Sequence, residues 1–165
     1  MKKIVLALGF LIFTLSCVFA EKKAISIVGF EGVAGSQDAF MQENLGAIGA
    51  PRSESDRAIF WKKLDFQNDQ EIKRVTAYVK HNSSKRLGIA VGYFEAKTGV
   101  PTIIASKSNI VSFNTNEVQK VVLDIAIPGH RINNEKYEYV ITIDFLDGGD
   151  DENLMFYGAK IKLKP

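Results

Sequence analysis

The chain predicts an all-β fold, an antiparallel β-sandwich of about eight strands. Three observations carry this. Apolar residues recur with period two along most of the chain, the spacing of strands with one dry and one wet face. Helical spacing at i, i+3 and i+4 is nearly absent. Turn formers such as Asn68-Asp69, Asn82-Ser83-Ser84 and Asn133-Asn134 punctuate the apolar runs at short intervals. Such intervals leave no room for the helical crossovers that parallel strands need.

The first twenty residues read as an export leader. Lys2 and Lys3 form a positive start, Ile4 to Leu15 is uncharged and mostly apolar, and Val18-Phe19-Ala20 places small or β-branched groups where a signal peptidase reads. Cleavage after Ala20 would leave 145 of the 165 residues, enough for one domain with its own core. The expected location is secreted or periplasmic. The alternative is a lipoprotein anchored through Cys17, since Ser16 suits a lipobox. Thr14, however, stands where that motif carries a large aliphatic residue, and Leu15 comes one position late. Cys17 is the only cysteine, so the mature chain would hold neither thiol nor disulfide.

Within the mature chain, Ala24 to Val28 is an opening strand. Residues 29–57, rich in Gly, Ala, Ser and Gln, read as a long irregular connection with one helical turn near Phe40 to Leu45. The sandwich core is expected over 58–165, in one domain with 21–57. Ala58 to Phe66 is a strand expected to turn Ile59, Trp61, Leu64 and Phe66 toward apolar surroundings. Ile72 to Lys80 turns Val75, Ala77 and Val79 inward and Arg74, Thr76, Tyr78 and Lys80 outward. After His81 to Ser84, a strand with Leu87, Ile89, Val91 and Tyr93 on one face carries Gly88, Ala90 and Gly92 on the other. The short turn between these two strands reads as a hairpin. Thr102 to Phe113 is extended, and Val121 to Ile127 alternates cleanly. Tyr137, Tyr139, Ile141, Ile143 and Phe145 mark the strongest strand. An acidic loop at 147–153 precedes the last strand, where Ala159, Ile161 and Leu163 point in and Lys160, Lys162 and Lys164 point out. That lysine row would suit a protected sheet edge. The alternation alone fits a closed barrel as well as a sandwich.

Charge excludes some function classes. Lys2 and Lys3 leave with the leader, so the 21 basic residues become 19 and balance the 19 acidic ones. A neutral chain has no general pull on nucleic acid or an anionic membrane, and the basic pairs Lys62-Lys63, Lys73-Arg74 and Lys85-Arg86 sit among acids. No apolar run of the mature chain approaches the roughly 20 residues of a transmembrane span. Gly29 to Gly32 and Gly46 to Gly49 lack the Gly-Lys-Ser/Thr ending of a phosphate loop.

Three stretches together carry a family resemblance: Phe60 to Phe66 leading into Glu71 to Val79 and the turn at 81–84, then Ile132 to Phe145, then Leu154-Met-Phe-Tyr-Gly-Ala-Lys-Ile161. Over residues 58–164 the chain resembles uncharacterised secreted bacterial β-sandwich proteins ending in a Tyr-Gly-Ala-Lys-Ile-type strand. The resemblance implies a jelly-roll-like sandwich and brings no catalytic residues.

Candidate sites are few. Asp147, Asp150 and Asp151, with Glu152 and Asn153, crowd a glycine-containing loop that could offer oxygens to calcium, though without EF-hand spacing. A solvated turn explains the same residues. His81 and His130 are the only histidines, and both read as exposed turn residues. No Gly-x-Ser-x-Gly elbow accompanies them, and no His/Cys cluster is present for zinc. Among the aromatic residues, Tyr78 is the candidate ligand contact, because it shares a polar face with Arg74 and Lys80 and a flat ring suits a sugar face. Trp61 reads as core. Asn82-Ser83-Ser84 matches a glycosylation acceptor, but the leader looks bacterial. The expected function is an exported, non-enzymatic binding or structural module that could form a homo-oligomer through a sheet face. The alternatives are a carbohydrate-binding domain with a glycan ligand, with or without calcium assistance, and a small extracytoplasmic hydrolase with a dispersed site.

Overall fold

The computed structural model describes residues 24–27, 33–35, 39–42, 47–51, 58–147 and 153–165, with side chains from 59 onward. Twelve strands and no helix occur among them. They are β1 (Ala24–Ile27), β2 (Val33–Gly35), β3 (Ala39–Gln42), β4 (Ala47–Pro51), β5 (Ala58–Lys63), β6 (Glu71–His81), β7 (Leu87–Glu95), β8 (Pro101–Ile110), β9 (Gln119–Val122), β10 (Asp124–Ile125), β11 (Tyr137–Phe145) and β12 (Leu154–Lys164). Eight of the twelve, β5 to β12, lie in the region expected to form the core.

The strands form two six-stranded sheets. The first runs β3-β4-β12-β6-β9, with β1 also paired to β12, and the second runs β10-β8-β7-β11-β5-β2. Pairing is antiparallel throughout the strand pairs described. Between the sheets lie Val75, Ala77 and Val79 of β6, Ile89 and Val91 of β7, Ile141, Ile143 and Phe145 of β11, and Ile161 of β12. The period-two pattern thus turns every long strand's apolar set to one shared interior.

The connections differ from expectation in three places. Residues 29–57 contain β2, β3 and β4, and Phe40 to Gln42, expected in a helical turn, belong to β3. β2 pairs with β5, β4 pairs with β12, and β3 pairs with β4, contacts that no internal periodicity announces. Val121 to Ile127 is not one strand. It breaks at Leu123, so that β9 joins the first sheet and β10 the second. There the Leu123 N–H donates to the Val75 carbonyl at 3.1 Å, and the Ala126 N–H donates to the Ile104 carbonyl at 2.7 Å. Finally, β6 and β7 are not a hairpin: β6 pairs with β12 and β9, and β7 pairs with β11 and β8. The 82–86 turn carries the chain across the sandwich, which lets both apolar faces meet in the core instead of lying edge to edge.

The last strand is also placed differently. β12 is interior, with β6 along one side and β4 and β1 along the other. Its lysines therefore guard no edge. A bulge between Phe156 and Gly158 resets its register, and Gly158 takes φ 146°, a backbone angle that suits glycine.

Candidate functional site

The outer face of the second sheet is built from residues opposite those that fill the core. On β7 the inward set is Leu87, Ile89 and Val91, which leaves Gly88, Ala90, Gly92 and Phe94 outside. Register then fixes their neighbours. Ala90 lies opposite Thr142 of β11 and Ser106 of β8, Thr142 lies opposite Trp61 of β5, and Ser106 lies opposite Asp124 of β10. One continuous rung, Trp61-Thr142-Ala90-Ser106-Asp124, therefore crosses five strands. At a strand spacing near 4.8 Å it is about 19 Å long.

This rung has distinct ends and a low middle. Trp61 stands 43% exposed at one end. Thr142, Ala90 and Ser106 are short side chains and form the floor. At the other end Ser106, Lys107, Ser108, Asp124, Ile125 and Ala126 line a hollow of about 340 Å³, with Lys107 paired to Asp124 at 3.0 Å. Along one flank, Ile103 opposite Gly92 is 53% exposed and Phe94 is 40% exposed. The Lys63–Glu138 pair, 3.4 Å apart, borders the same flank. Exposed apolar surface thus alternates with hydroxyl and charged groups along a shallow strip.

Sequence reasoning missed the key residue of this strip. Trp61 was expected in the core, but the inward residue of β5 is Phe60, 1% exposed. Phe60 packs edge-on to Phe145 with centroids 5.8 Å apart. The true alternation is offset by one residue, which moves Trp61 to the surface. Leu64 and Phe66 are buried as expected, although they lie beyond the end of β5. The available signal was the pairing partner: Phe60 meets Ile143 and Trp61 meets Thr142.

Other candidates fall elsewhere. Tyr78 is on the outer face of the first sheet, opposite Lys120 and Gly158, away from this strip. Asp147 is engaged by Arg86. Its Oδ1 accepts from Nη2 at 2.6 Å, and its Oδ2 accepts from Nε at 2.9 Å and from the backbone N–H at 2.8 Å. These bonds hold its carboxyl down to about 2. Asp150 and Asp151 lie outside the described residues, as do Ala20 and Cys17. Among the described residues no group of three His, Cys, Asp or Glu side chains could hold a metal.

Neither histidine is an exposed turn residue. His81 is fully buried, and its Nε2 lies 2.8 Å from the Ile110 carbonyl, to which it donates. Burial there closes the end of β6 against β8, with Phe113 edge-on at 5.9 Å. His130 is half-buried in a ring cluster, stacked on Tyr93 at 5.0 Å, with Tyr93 and Tyr137 4.2 Å apart. The Tyr139 hydroxyl accepts from the Asn133 N–H at 2.9 Å and shares a second hydrogen bond with His130 Nε2, also at 2.9 Å. Burial lowers the His130 pKa and raises that of Tyr139, which favours the neutral form of each.

No family model matches the chain. No curated relative matches it by sequence. Among solved structures it is similar to a glycoside hydrolase family 43 arabinoxylan arabinofuranohydrolase from Bacillus subtilis in complex with cellotetraose, at 9% identity and a TM-score of 0.48, covering 87% of this chain and 27% of that one. The chain therefore spans about a quarter of that enzyme's length. It is also similar to the xylan-binding module CBM15, at 10% identity and a TM-score of 0.46, covering 86% of this chain and 97% of that one. A β-1,3-glucan-binding CBM6 from Bacillus halodurans aligns at 14% identity and a TM-score of 0.37, covering 86% and 92%.

Proposed function

We propose that the protein is a non-catalytic carbohydrate-binding module of the cell exterior or periplasm. Its ligand is an uncharged oligosaccharide laid along the Trp61-to-Asp124 rung. One observation carries the reading. The chain's single tryptophan stands exposed at the head of a strip whose floor is kept low by Thr142, Ala90 and Ser106. A pyranose presents C–H faces and hydroxyl edges together. A flat indole takes the first, and the hydroxyls of Thr142, Ser106 and Ser108 and the Asp124 carboxylate take the second. A strand face offers these groups on rigid backbone, so little ordering entropy opposes binding. The non-catalytic part of the reading rests on how the histidines are used. Each has its Nε2 engaged inside the fold, by Ile110 or by Tyr139, and neither is on the rung.

Because Trp61 is the only tryptophan, intrinsic fluorescence reports on the site directly. Titration with cellotetraose, xylohexaose and β-1,4-galactotriose is expected to quench or blue-shift the emission for at least one of them, with matching heat by calorimetry. Trp61→Ala removes an anchoring aromatic and should weaken binding at least about 30-fold, while Tyr78→Ala should leave it unchanged. The reading fails if wild type gives neither signal with any oligosaccharide, or if Trp61→Ala binds as wild type does.

A further inference from the structure

We infer that the outer face of the first sheet is a second binding surface, for a linear acidic polysaccharide carrying carboxylate or sulfate groups. The face is read from the same alternation. Opposite the buried Val75, Ala77 and Val79, β6 turns out Arg74, Thr76 and Tyr78. Opposite the buried Ala159, Ile161 and Leu163, β12 turns out Lys160 and Lys162, and β9 adds Lys120 beside Tyr78. Arg74, Lys120, Lys160 and Lys162 are all exposed. Their charge is concentrated on one face of a chain whose mature form has no net charge.

Two features say that this concentration is not incidental. The first is position. Lysines on an outermost strand blunt edge pairing, but β12 is flanked on both sides, so that role is closed to Lys160 and Lys162. The second is register. Lys162 lies directly opposite Arg74, and like charges in that relation oppose sheet formation. No ion pair relieves them among the described residues. The ion pairs of Lys63, Lys73, Arg86 and Lys107 lie apart from these four cations. Glu71, at the border of the face opposite Lys164, is held by Lys73 at 2.6 Å. A polyanion supplies the compensation that the described residues do not.

The layout favours a linear polymer over a bilayer. Lys160 and Lys162 are about 7 Å apart along β12, and Arg74 is one strand away, about 5 Å. The four cations thus spread over three adjacent strands, β12, β6 and β9, with Thr76 and Tyr78 between Arg74 and Lys120 along the register. The large apolar rings exposed on strands, Trp61 of β5 and Phe94 of β7, belong to the second sheet, and this face presents one large exposed aliphatic side chain, Val122 opposite Thr76.

The test uses affinity electrophoresis and thermophoresis of the exported protein with polygalacturonate, dextran sulfate, phosphatidylglycerol vesicles and a DNA oligonucleotide. Expected is binding to at least one of the acidic polysaccharides that weakens at least about tenfold as salt rises through the physiological range. The Lys160→Gln, Lys162→Gln double variant should lose at least about tenfold in affinity, with an unchanged or raised urea midpoint because Lys162 no longer faces Arg74. Trp61→Ala should bind the acidic polymer as wild type does, which separates this surface from the rung. Absence of polyanion binding at low salt overturns the inference. So does binding that survives the double variant, or a preference for vesicles or DNA over both polysaccharides.

Discussion

At the scale of single residues, the fork between Arg86 and Asp147 shows how a side chain expected to bind a ligand can be spent on the fold. Arg86 precedes β7 and Asp147 follows β11, and these strands pair from Leu87↔Phe145 onward. The fork therefore clamps the open end of that ladder. Its pH dependence follows from the depressed carboxyl. In the unfolded chain Asp147 titrates near 3.9, whereas folded it is held near 2, chiefly by the Arg86 side chain. The stabilisation is thus fully present above the unfolded value and is lost as pH falls through the folded one. Asp147→Asn should lower the urea midpoint at neutral pH, and the gap from wild type should close between about pH 4 and pH 2. Because both groups reach solvent, added salt should narrow the gap at neutral pH. A gap that is constant from pH 7 to pH 2 would show that the charge is not what matters.

At the scale of elements, β7 and β8 show what glycine does on the proposed binding face. A register shift between Val91 and Gly92 bulges β8 toward its partner. A Cβ on Gly92 would sit 2.4 Å from the Thr102 carbonyl oxygen, a backbone atom. At Gly88 the nearest atom, the Asp144 Cβ, would be 3.6 Å away. Gly92→Ala should therefore cost about 1–3 kcal/mol, as overpacking does, and Gly88→Ala should be nearly neutral in thermal or urea denaturation. Equal effects would mean that the bulge yields freely. The alternation of β7 was legible, because Leu87, Ile89 and Val91 are β-formers facing three small residues. The phase of β5 was not, since Ile59, Phe60 and Trp61 are all apolar and a run of this kind carries no period. Only the pairing with β11 decides it, and pairing is a long-range fact. For the same reason Trp61, at the head of the candidate site, could not be found from its own neighbours in sequence.

At the scale of the whole molecule, the sequence carried the long strands from residue 58 onward, but neither β2 to β4 nor the partners of the strands. Segments 82–86 and 147–153 read as hairpin connections in the sequence, yet each joins strands in different sheets. The choice depends on which arrangement buries more apolar surface, and no local composition records it. The result is a sandwich with two unlike outer faces, and their use depends on whether the chain is free or anchored. Were Cys17 lipidated, six residues would separate it from Ala24, the start of β1, at most about 25 Å of extended chain. β1 is paired to β12, so that tether would hold the cationic sheet close to the bilayer and restrict a polymer's access to it. Cleavage after Ala20 leaves both faces open, and it is the processing expected here. Intact mass of the exported protein should place its first residue at Glu21, and Cys17→Ala should leave its release from the membrane fraction unaltered. A mass beginning at Cys17 with added acyl chains, or release that appears only in Cys17→Ala, would replace the free module with an anchored one.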